Sequence, residues 1–129
     1  MNKRRKYVKR RTEFVIAVQL NLDTTGFTYR KWGGRQKCKP GDWLVNNEGD
    51  TYTVDRKTFA RTYAKTGPGK YIKTKPVWAE VAKTHGKVRT KEGLTHYEPG
   101  DYLIYNQRDG GDPYAVSKPE FERMYRLSA

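Results

Sequence analysis

Two stretches of this sequence combine side chains that neutralise phosphate with side chains that stack on bases. Residues 1–11 contain seven lysines and arginines and no acidic residue, and residues 27–39 interleave basic residues with Phe27, Tyr29 and Trp32. This combination indicates a phosphate-bearing ligand, in the first place RNA or single-stranded DNA. The predicted ligand-binding residues are Lys3, Arg4, Arg5, Lys6, Arg10 and Arg11 of the first stretch and Arg30, Lys31, Trp32, Arg35 and Lys37 of the second.

Both stretches also have a plainer interpretation. Residues 1–11 are either a nucleic-acid arm, disordered alone and laid along phosphates when bound, or a solubilising tail. Residues 27–39 are either a ligand surface or an ordinary edge strand whose lysines discourage aggregation.

Few residues have the spacing that catalysis requires. His85 and His96 have no partner at metal-ligand spacing, and one cysteine, Cys38, cannot build a zinc site. A Gly-x-Ser-x-Gly nucleophile elbow does not occur, and residues 65–70 lack the spacing of a phosphate-cradling loop. We therefore predict that the protein is not an enzyme and holds neither a metal nor a cofactor.

Asp42 and Asp101 occupy matching positions, each directly after a Pro-Gly pair. Paired carboxylates can perform acid–base catalysis, but a structural role is more economical. Each aspartate either accepts hydrogen bonds from backbone amides of its own turn or pairs with an arginine of the same unit. The residues predicted to form these turns and pairs are Pro40, Gly41, Asp42, Arg61, Pro99, Gly100, Asp101 and Arg123.

The elements that position these residues come from a stretch that occurs twice, at residues 39–63 and 98–125. Each copy has a Pro-Gly pair suited to a type II turn, then an aromatic and β-branched hairpin. A short helix follows, for which Asp55 is the predicted N-cap in the first copy and Ser117, in a capping box with Glu120, in the second. The helical aromatics, four residues apart, are predicted to pack against the hairpin.

The duplication extends upstream, where residues 15–17 match residues 77–79 and Gly34 matches Gly93. The predicted fold class is α+β, mostly β: two tandem repeats of an antiparallel strand and hairpin unit, each ending in a short helix. The two units are expected to pack as a pseudo-twofold, small barrel-like domain. The predicted segments are a basic arm (1–11), repeat one (12–64), a linker (65–73) and repeat two (74–129), within one compact domain.

The net charge of +13 is unevenly distributed, at +7 for residues 1–11, +5 for residues 12–73 and +1 for residues 74–129. Similar units with different charge suggest that one half contacts an anion and the other supports it. The single Cys38 excludes an internal disulfide and favours a reducing compartment. No apolar run approaches membrane-spanning length and no secretory signal is predicted, so the expected location is cytoplasmic.

Several short motifs carry a family resemblance. They are Lys75-Pro76-Val77, Thr90-x-x-Gly93, Pro99-Gly100-Asp101-Tyr102, Gly111-Asp112-x-Tyr114 and Phe121-x-x-x-Tyr125. This set resembles short bacterial and phage proteins of unassigned function that are named for a Pro-Gly-Asp-Tyr-Gly turn, although Leu103 replaces the second glycine and the first copy has Trp43-Leu44. The resemblance implies a small intracellular accessory protein, bacterial or phage-encoded, and no particular activity.

Three functions remain open from the sequence. The first is non-enzymatic binding of nucleic acid through the basic arm and the basic, aromatic surface of repeat one. The second is sequestration of a small nucleotide, of the second-messenger type, in a basic pocket between the repeats, as in phage counter-defence. The third is inhibition of a host protein target through a protein interface.

Overall fold

The chain forms a mostly β structure with two short helices. The computed structural model describes residues 4–10 and 13–128. The strands are β1 (Arg5–Lys9), β2 (Val15–Gln19), β3 (Phe27–Lys31), β4 (Gly34–Cys38), β5 (Trp43–Asn47), β6 (Asp50–Val54), β7 (Tyr63–Gly67), β8 (Lys70–Lys73), β9 (Val77–Val81), β10 (Gly86–Arg89), β11 (Leu94–Tyr97), β12 (Tyr102–Tyr105), β13 (Pro113–Val116) and β14 (Tyr125–Leu127). The helices are α1 (Arg56–Thr62) and α2 (Lys118–Met124).

These strands form four antiparallel sheets. Sheet I has the order β6-β5-β2-β8-β7, and sheet II has the order β13-β12-β9-β1-β14. Two further sheets are the two-stranded hairpins β3-β4 and β10-β11. The expected antiparallel, mostly β class is confirmed, but the barrel-like closure is not: within the described residues each five-stranded sheet is open, with a helix linking its two edge strands.

The two Pro-Gly pairs form the expected turns ahead of β5 and β12. The Asp42 amide donates to the Lys39 carbonyl at 3.0 Å, and the Asp101 amide donates to the Glu98 carbonyl at 3.1 Å. Gly41 has φ +90°, a value at which a side chain would strain the backbone. Each turn launches the first strand of a hairpin, β5-β6 in sheet I and β12-β13 in sheet II.

The basic stretch at residues 5–9 is an internal strand of sheet II rather than a free arm. Strand β1 pairs with β9 on one side and with β14 on the other. The strand forms because its side chains alternate: Tyr7 packs into the core and Lys9 lines the interior, while Lys6 is exposed. Backbone groups that bond on both sides cannot also lie freely along phosphates, so the expected disorder of these residues is wrong.

The stretch at residues 65–73 is likewise structured. Strands β7 and β8 pair as a hairpin across Pro68-Gly69, and β8 also pairs with β2. Gly69 has φ +70°, as the second central position of a type II turn requires. The predicted linker is therefore a hairpin that completes sheet I.

Each five-stranded sheet buries one face in a separate aromatic core beneath its helix. In sheet I the Phe59 ring stacks on Trp43 at 4.2 Å and on Tyr63 at 4.5 Å between centroids. In sheet II the Phe121 ring stacks on Tyr102 at 4.1 Å and on Tyr125 at 4.9 Å. Such contacts add to the area that the rings bury, and they fix each helix on its hairpin as expected.

The helix N-termini differ from each other. The Asp55 carboxylate accepts the Thr58 amide at 3.1 Å, which is the expected N-cap bond of α1. Ser117 occupies the cap position of α2 but makes no side-chain cap bond, so the predicted capping box is wrong. Pro119 in the first turn removes one of the free amides that a cap would otherwise satisfy.

The two small hairpins cross each other at a pair of glycines. A Cβ atom on Gly34 would collide with the Leu94 carbonyl oxygen, and a Cβ atom on Gly93 would collide with the Arg35 carbonyl oxygen. At the crossing, the His96 amide donates to the Trp32 carbonyl at 2.9 Å. The crossing holds β3 and β11 beside the same interior space.

Candidate functional site

The interior contains a cavity of about 550 Å³. Both five-stranded sheets, both helices and strands β3 and β11 contribute residues to its wall. This volume is within the range of small-molecule sites. The cavity is therefore the candidate site.

Lys73, at the end of β8, is one of two lysines that line the cavity deep in the protein. Its Nζ donates to Asn106 Oδ1 at 2.8 Å and to the Tyr114 hydroxyl at 2.9 Å. It forms no ion pair with a carboxylate of the described residues. Burial, together with the charge of Lys9, lowers the Lys73 pKa to about 7.

Lys9, at the end of β1, is the second lysine that lines the cavity deep in the protein. Its Nζ lies 5.2 Å from the centre of the Tyr125 ring and 3.6 Å from the Met124 sulfur, a weak acceptor. Within the described part of the chain it too has no carboxylate at ion-pair distance. Burial lowers the Lys9 pKa to about 8.

Four tyrosines line the cavity beside these lysines, namely Tyr52, Tyr63, Tyr114 and Tyr125. Burial raises the pKa of all four hydroxyls, that of Tyr52 to about 12. The hydroxyls therefore stay protonated at physiological pH. A tyrosine hydroxyl can donate a hydrogen bond to an oxygen of a ligand, and the Tyr114 hydroxyl already accepts one from Lys73 Nζ at 2.9 Å.

Two acidic residues of the wall, Asp112 and Glu92, accept hydrogen bonds from protein groups. Asp112 accepts from Asn106 Nδ2 at 2.8 Å and from the Arg61 guanidinium at 3.3 Å. Glu92 accepts the Asp55 amide at 2.7 Å, and burial raises its pKa to about 7. The cavity therefore combines hydrogen-bonded carboxylates with two ammonium groups that form no ion pair within the described residues.

The residues predicted to form one basic, aromatic surface on repeat one are divided between two faces. Arg30, Arg35 and Lys37 are exposed and lie on the outer face of the β3-β4 hairpin, where Arg30 and Arg35 are register neighbours. Lys31 and Trp32 instead lie at the cavity wall. Lys31 pairs there with Asp50 at 2.7 Å, and the Trp32 ring lies 5.6 Å from that of Tyr52.

The basic residues predicted for the arm are also separated. Arg4, directly before β1, and Arg5 and Lys6 within it are exposed, while the Arg10 guanidinium donates to the Glu122 carbonyl at 3.1 and 3.2 Å. Lys3 and Arg11 lie outside the described residues.

The aspartates that follow the Pro-Gly pairs close their turns. Asp42 is 1% exposed and accepts the amides of Lys39 at 2.8 Å and Arg56 at 3.1 Å. Asp101 accepts the Glu98 amide at 2.9 Å.

The helix arginines pair elsewhere, so the ion pair considered within each unit is not formed. Arg61 contacts Asp112 at 3.3 Å, and Arg123 contacts Glu13 at 3.2 Å and Glu48 at 2.7 Å. Each arginine therefore joins its helix to a hairpin turn of the other five-stranded sheet.

The cavity lysines were not among the predicted site residues, although the sequence contains a signal for them. Lys6-Tyr7-Val8-Lys9 matches Lys70-Tyr71-Ile72-Lys73, and each tetrapeptide alternates an exposed lysine, a core tyrosine, an aliphatic residue and a cavity lysine. The basic composition around the first tetrapeptide obscured this strand pattern.

The fold and the site define an antiparallel β protein with an internal cavity that is lined by lysine and tyrosine. In the part of the chain that the structure describes, no cluster of histidine, cysteine or acidic residues is arranged to hold a metal. That part also has no helix of the length and apolarity needed to span a bilayer. No protein family, curated protein or solved structure matches the chain. The resemblance to the Pro-Gly-Asp-Tyr-Gly proteins therefore stays a prediction.

Proposed function

We propose that the protein binds a small anionic ligand of the nucleotide type in its cavity and does not transform it. The observation that carries this proposal is the pair of interior lysines, Lys9 and Lys73, for which the described part of the chain supplies no carboxylate at ion-pair distance. Burying an ammonium group without a counter-charge is costly, and an anion in the cavity offsets that cost. A phosphate group adds acceptors for the lysines and for the tyrosine hydroxyls.

The chemistry of the wall also suits the remainder of a nucleotide. The Tyr52 and Trp32 rings provide apolar faces near the β3-β4 side. Thr95 and Glu92, whose pKa burial raises to about 7, provide polar groups there. A ring flanked by aromatic faces and bonded at its edge by a few polar groups is the usual arrangement for a base.

We further infer that the chain is two tandem units arranged with pseudo-twofold symmetry around this cavity. In support, Lys9 corresponds to Lys73, and Asn47 corresponds to Asn106. The four cavity tyrosines likewise correspond in pairs. Strand β1 precedes β2 of sheet I in the chain but pairs within sheet II, and β8 precedes β9 of sheet II but pairs within sheet I. Equivalent donors on two sides favour a ligand with two phosphate-bearing halves, such as a dinucleotide second messenger.

Binding of nucleic acid through residues 3–11 and the surface of repeat one is less well supported. Strand β1 is held between two other strands, and Lys31 and Trp32 point away from Arg30, Arg35 and Lys37. Those residues therefore do not form one continuous surface.

The test is calorimetric titration of the protein with mononucleotides and cyclic and linear dinucleotides, together with native mass spectrometry of protein purified at low salt. We expect one ligand per chain, and we expect Lys73→Met to weaken binding at least about tenfold, as loss of a charge-assisted hydrogen bond does. Lys70→Met, at an exposed position of the same strand, is the matched control. Equal affinities for the two variants, or no binding of any nucleotide, would refute the proposal.

Proton uptake gives an independent check. Because an anion favours the charged forms of Lys9 and Lys73, binding raises their pKa values and is accompanied by proton uptake above about pH 7. Affinity is therefore expected to fall as the pH rises from 7 to 9. Heats of binding that are the same in buffers of different ionisation enthalpy would contradict this linkage.

A further inference from the structure

A second basic, aromatic surface lies on the outer face of sheet II. Trp78 on β9 has Lys6 of β1 as its register neighbour on one side and Tyr105 of β12 on the other. Side chains at such paired positions lie on the same face of a sheet. With Arg4 and Arg108, Lys6 and Trp78 line a shallow depression on this face.

The basic groups of this surface are held in place but are not neutralised. The Arg4 guanidinium lies 4.1 Å from the centre of the Tyr105 ring, and it packs on Gly110, where an added Cβ atom would be 2.7 Å from an Arg4 nitrogen. Within the described residues Arg4, Lys6 and Arg108 form no ion pair. The nearby carboxylate of Glu80 accepts the Tyr105 hydroxyl at 2.8 Å.

Sheet I shows that this surface is not a general property of the fold. At the equivalent register Ile16, not an aromatic residue, lies between Lys70 of β8 and Asn46 of β5. The ring near Lys70 is that of Phe14, 5.2 Å from its Nζ, and Lys70 is the one cation at this register. The segment 108–110, which adds three residues to the second hairpin relative to the first, supplies both Arg108 and the glycine on which Arg4 packs. The extra residues therefore build the cationic site on one sheet only.

We propose that this face of sheet II binds single-stranded nucleic acid, with a base stacked on Trp78 and the adjacent phosphates contacted by Arg4, Lys6 and Arg108. An open sheet face with exposed rings reaches unpaired bases, whereas the bases of a duplex are stacked on each other and inaccessible. Three cations that have no ion-pair partner among the described residues match the charge of a phosphodiester backbone. This site is separate from the cavity and does not depend on the ligand of the cavity.

The test is fluorescence anisotropy of short labelled single strands, titrated with the full chain over a series of salt concentrations. For Arg108→Ala we expect the slope of log affinity against log salt to decrease by about 0.7, the value for one phosphate contact on a single strand. For Trp78→Ala we expect affinity to fall about fivefold or more at every salt concentration, with the slope little changed. Trp78→Phe keeps a ring and is expected to recover most of that affinity.

The structure supplies two matched controls. Lys70→Ala changes the equivalent of Lys6 on sheet I and is expected to leave binding unchanged, as is Lys73→Met, which changes the cavity alone. Circular dichroism of each variant checks its folding, and Arg108, exposed in a loop, provides a variant that leaves the sheet intact. The proposal is overturned if the unmodified protein does not bind single strands at low salt, if it binds duplexes equally well, or if Lys70→Ala weakens binding as much as Lys6→Ala.

Discussion

Replacing Lys73 with methionine is expected to make the protein more stable at neutral pH. The side chains are similar in size, so the substitution removes the buried ammonium without opening a large cavity. It also removes the hydrogen bonds from Nζ to Asn106 and Tyr114. Whether stability rises depends on which of these losses is larger.

The electrostatic contribution is the larger one. The Lys73 pKa is about 7 in the folded protein, against 10.5 for an ordinary lysine. At about 1.4 kcal/mol for each pH unit of difference, the buried lysine destabilises the fold by about 4 kcal/mol at pH 7. Two hydrogen bonds contribute about 1 kcal/mol each in the opposite direction. The expected net gain from Lys73→Met is therefore about 2 kcal/mol.

The pH dependence isolates this effect. Because the folded pKa is lowered, the unfolded chain binds more protons between pH 7 and 10.5, and stability rises with pH in that interval. From pH 7 to about pH 9.5, Lys73 contributes a rise of about 3 kcal/mol and Lys9, with a pKa of about 8, a rise of about 2 kcal/mol. In the Lys73→Met variant, the stability should rise over this interval only by the contribution of Lys9. Measurements stop near pH 9.5 because the buried tyrosines favour unfolding once tyrosine ionises in the unfolded chain.

Urea unfolding at several pH values measures both quantities. Lys70→Met is the control, because Lys70 is exposed on the same strand and should change neither the stability at pH 7 nor the pH slope. If wild type and Lys73→Met have parallel profiles between pH 7 and 9.5, Lys73 is charged in the folded state. The account of the cavity as a site that lacks a counter-charge would then be wrong.

Two further predictions concern the framework around the cavity, and thermal or urea unfolding measures both. Gly34→Ala is expected to lower stability by about 2–3 kcal/mol, because its Cβ would collide with the Leu94 carbonyl. A Cβ atom on Gly67 would have no neighbour closer than 4.0 Å, so Gly67→Ala should change stability little. Equal losses of stability in the two variants would contradict the crossing of the small hairpins. Asp55→Ala is expected to cost about 1 kcal/mol through loss of its cap bond. Ser117→Ala should have no such effect, and a similar loss there would show that Ser117 caps α2.

Local signals in the sequence predicted the hairpins and turns, whereas the sheets depended on contacts between distant segments. Pro40-Gly41 determines its turn through the conformations of two adjacent residues, so the sequence is sufficient there. Strand β1 finds its partners at β9 and β14, far along the chain, and nothing within residues 1–11 indicates them. The failure at Ser117 has the same origin, since a cap sequence permits the bond but the orientation of the loop decides whether it forms.

The cavity was missed for a related physical reason. A lysine usually indicates a solvated surface, because burial of its charge is unfavourable unless a partner compensates it. Lys9 and Lys73 depart from that expectation, and only the alternation within their strands indicates that they point inward. Residues that break a local rule without an evident compensation are often functional.

The pairing of β8 with β7 explains why both lysines reach the same cavity. Strands β1 and β8 have similar sequences, and each occupies the position beside a central strand, with Tyr7 opposite Val77 in sheet II and Tyr71 opposite Val15 in sheet I. The tight turn at Pro68-Gly69 holds β8 beside β7 and thereby fills the position in sheet I. The equivalent position in sheet II is then left for β1. Sheet I is thus completed by β8, which directly precedes β9, the central strand of sheet II. Sheet II is completed by β1, which directly precedes β2, the central strand of sheet I. Strands β1 and β8 each end in a lysine that lines the cavity.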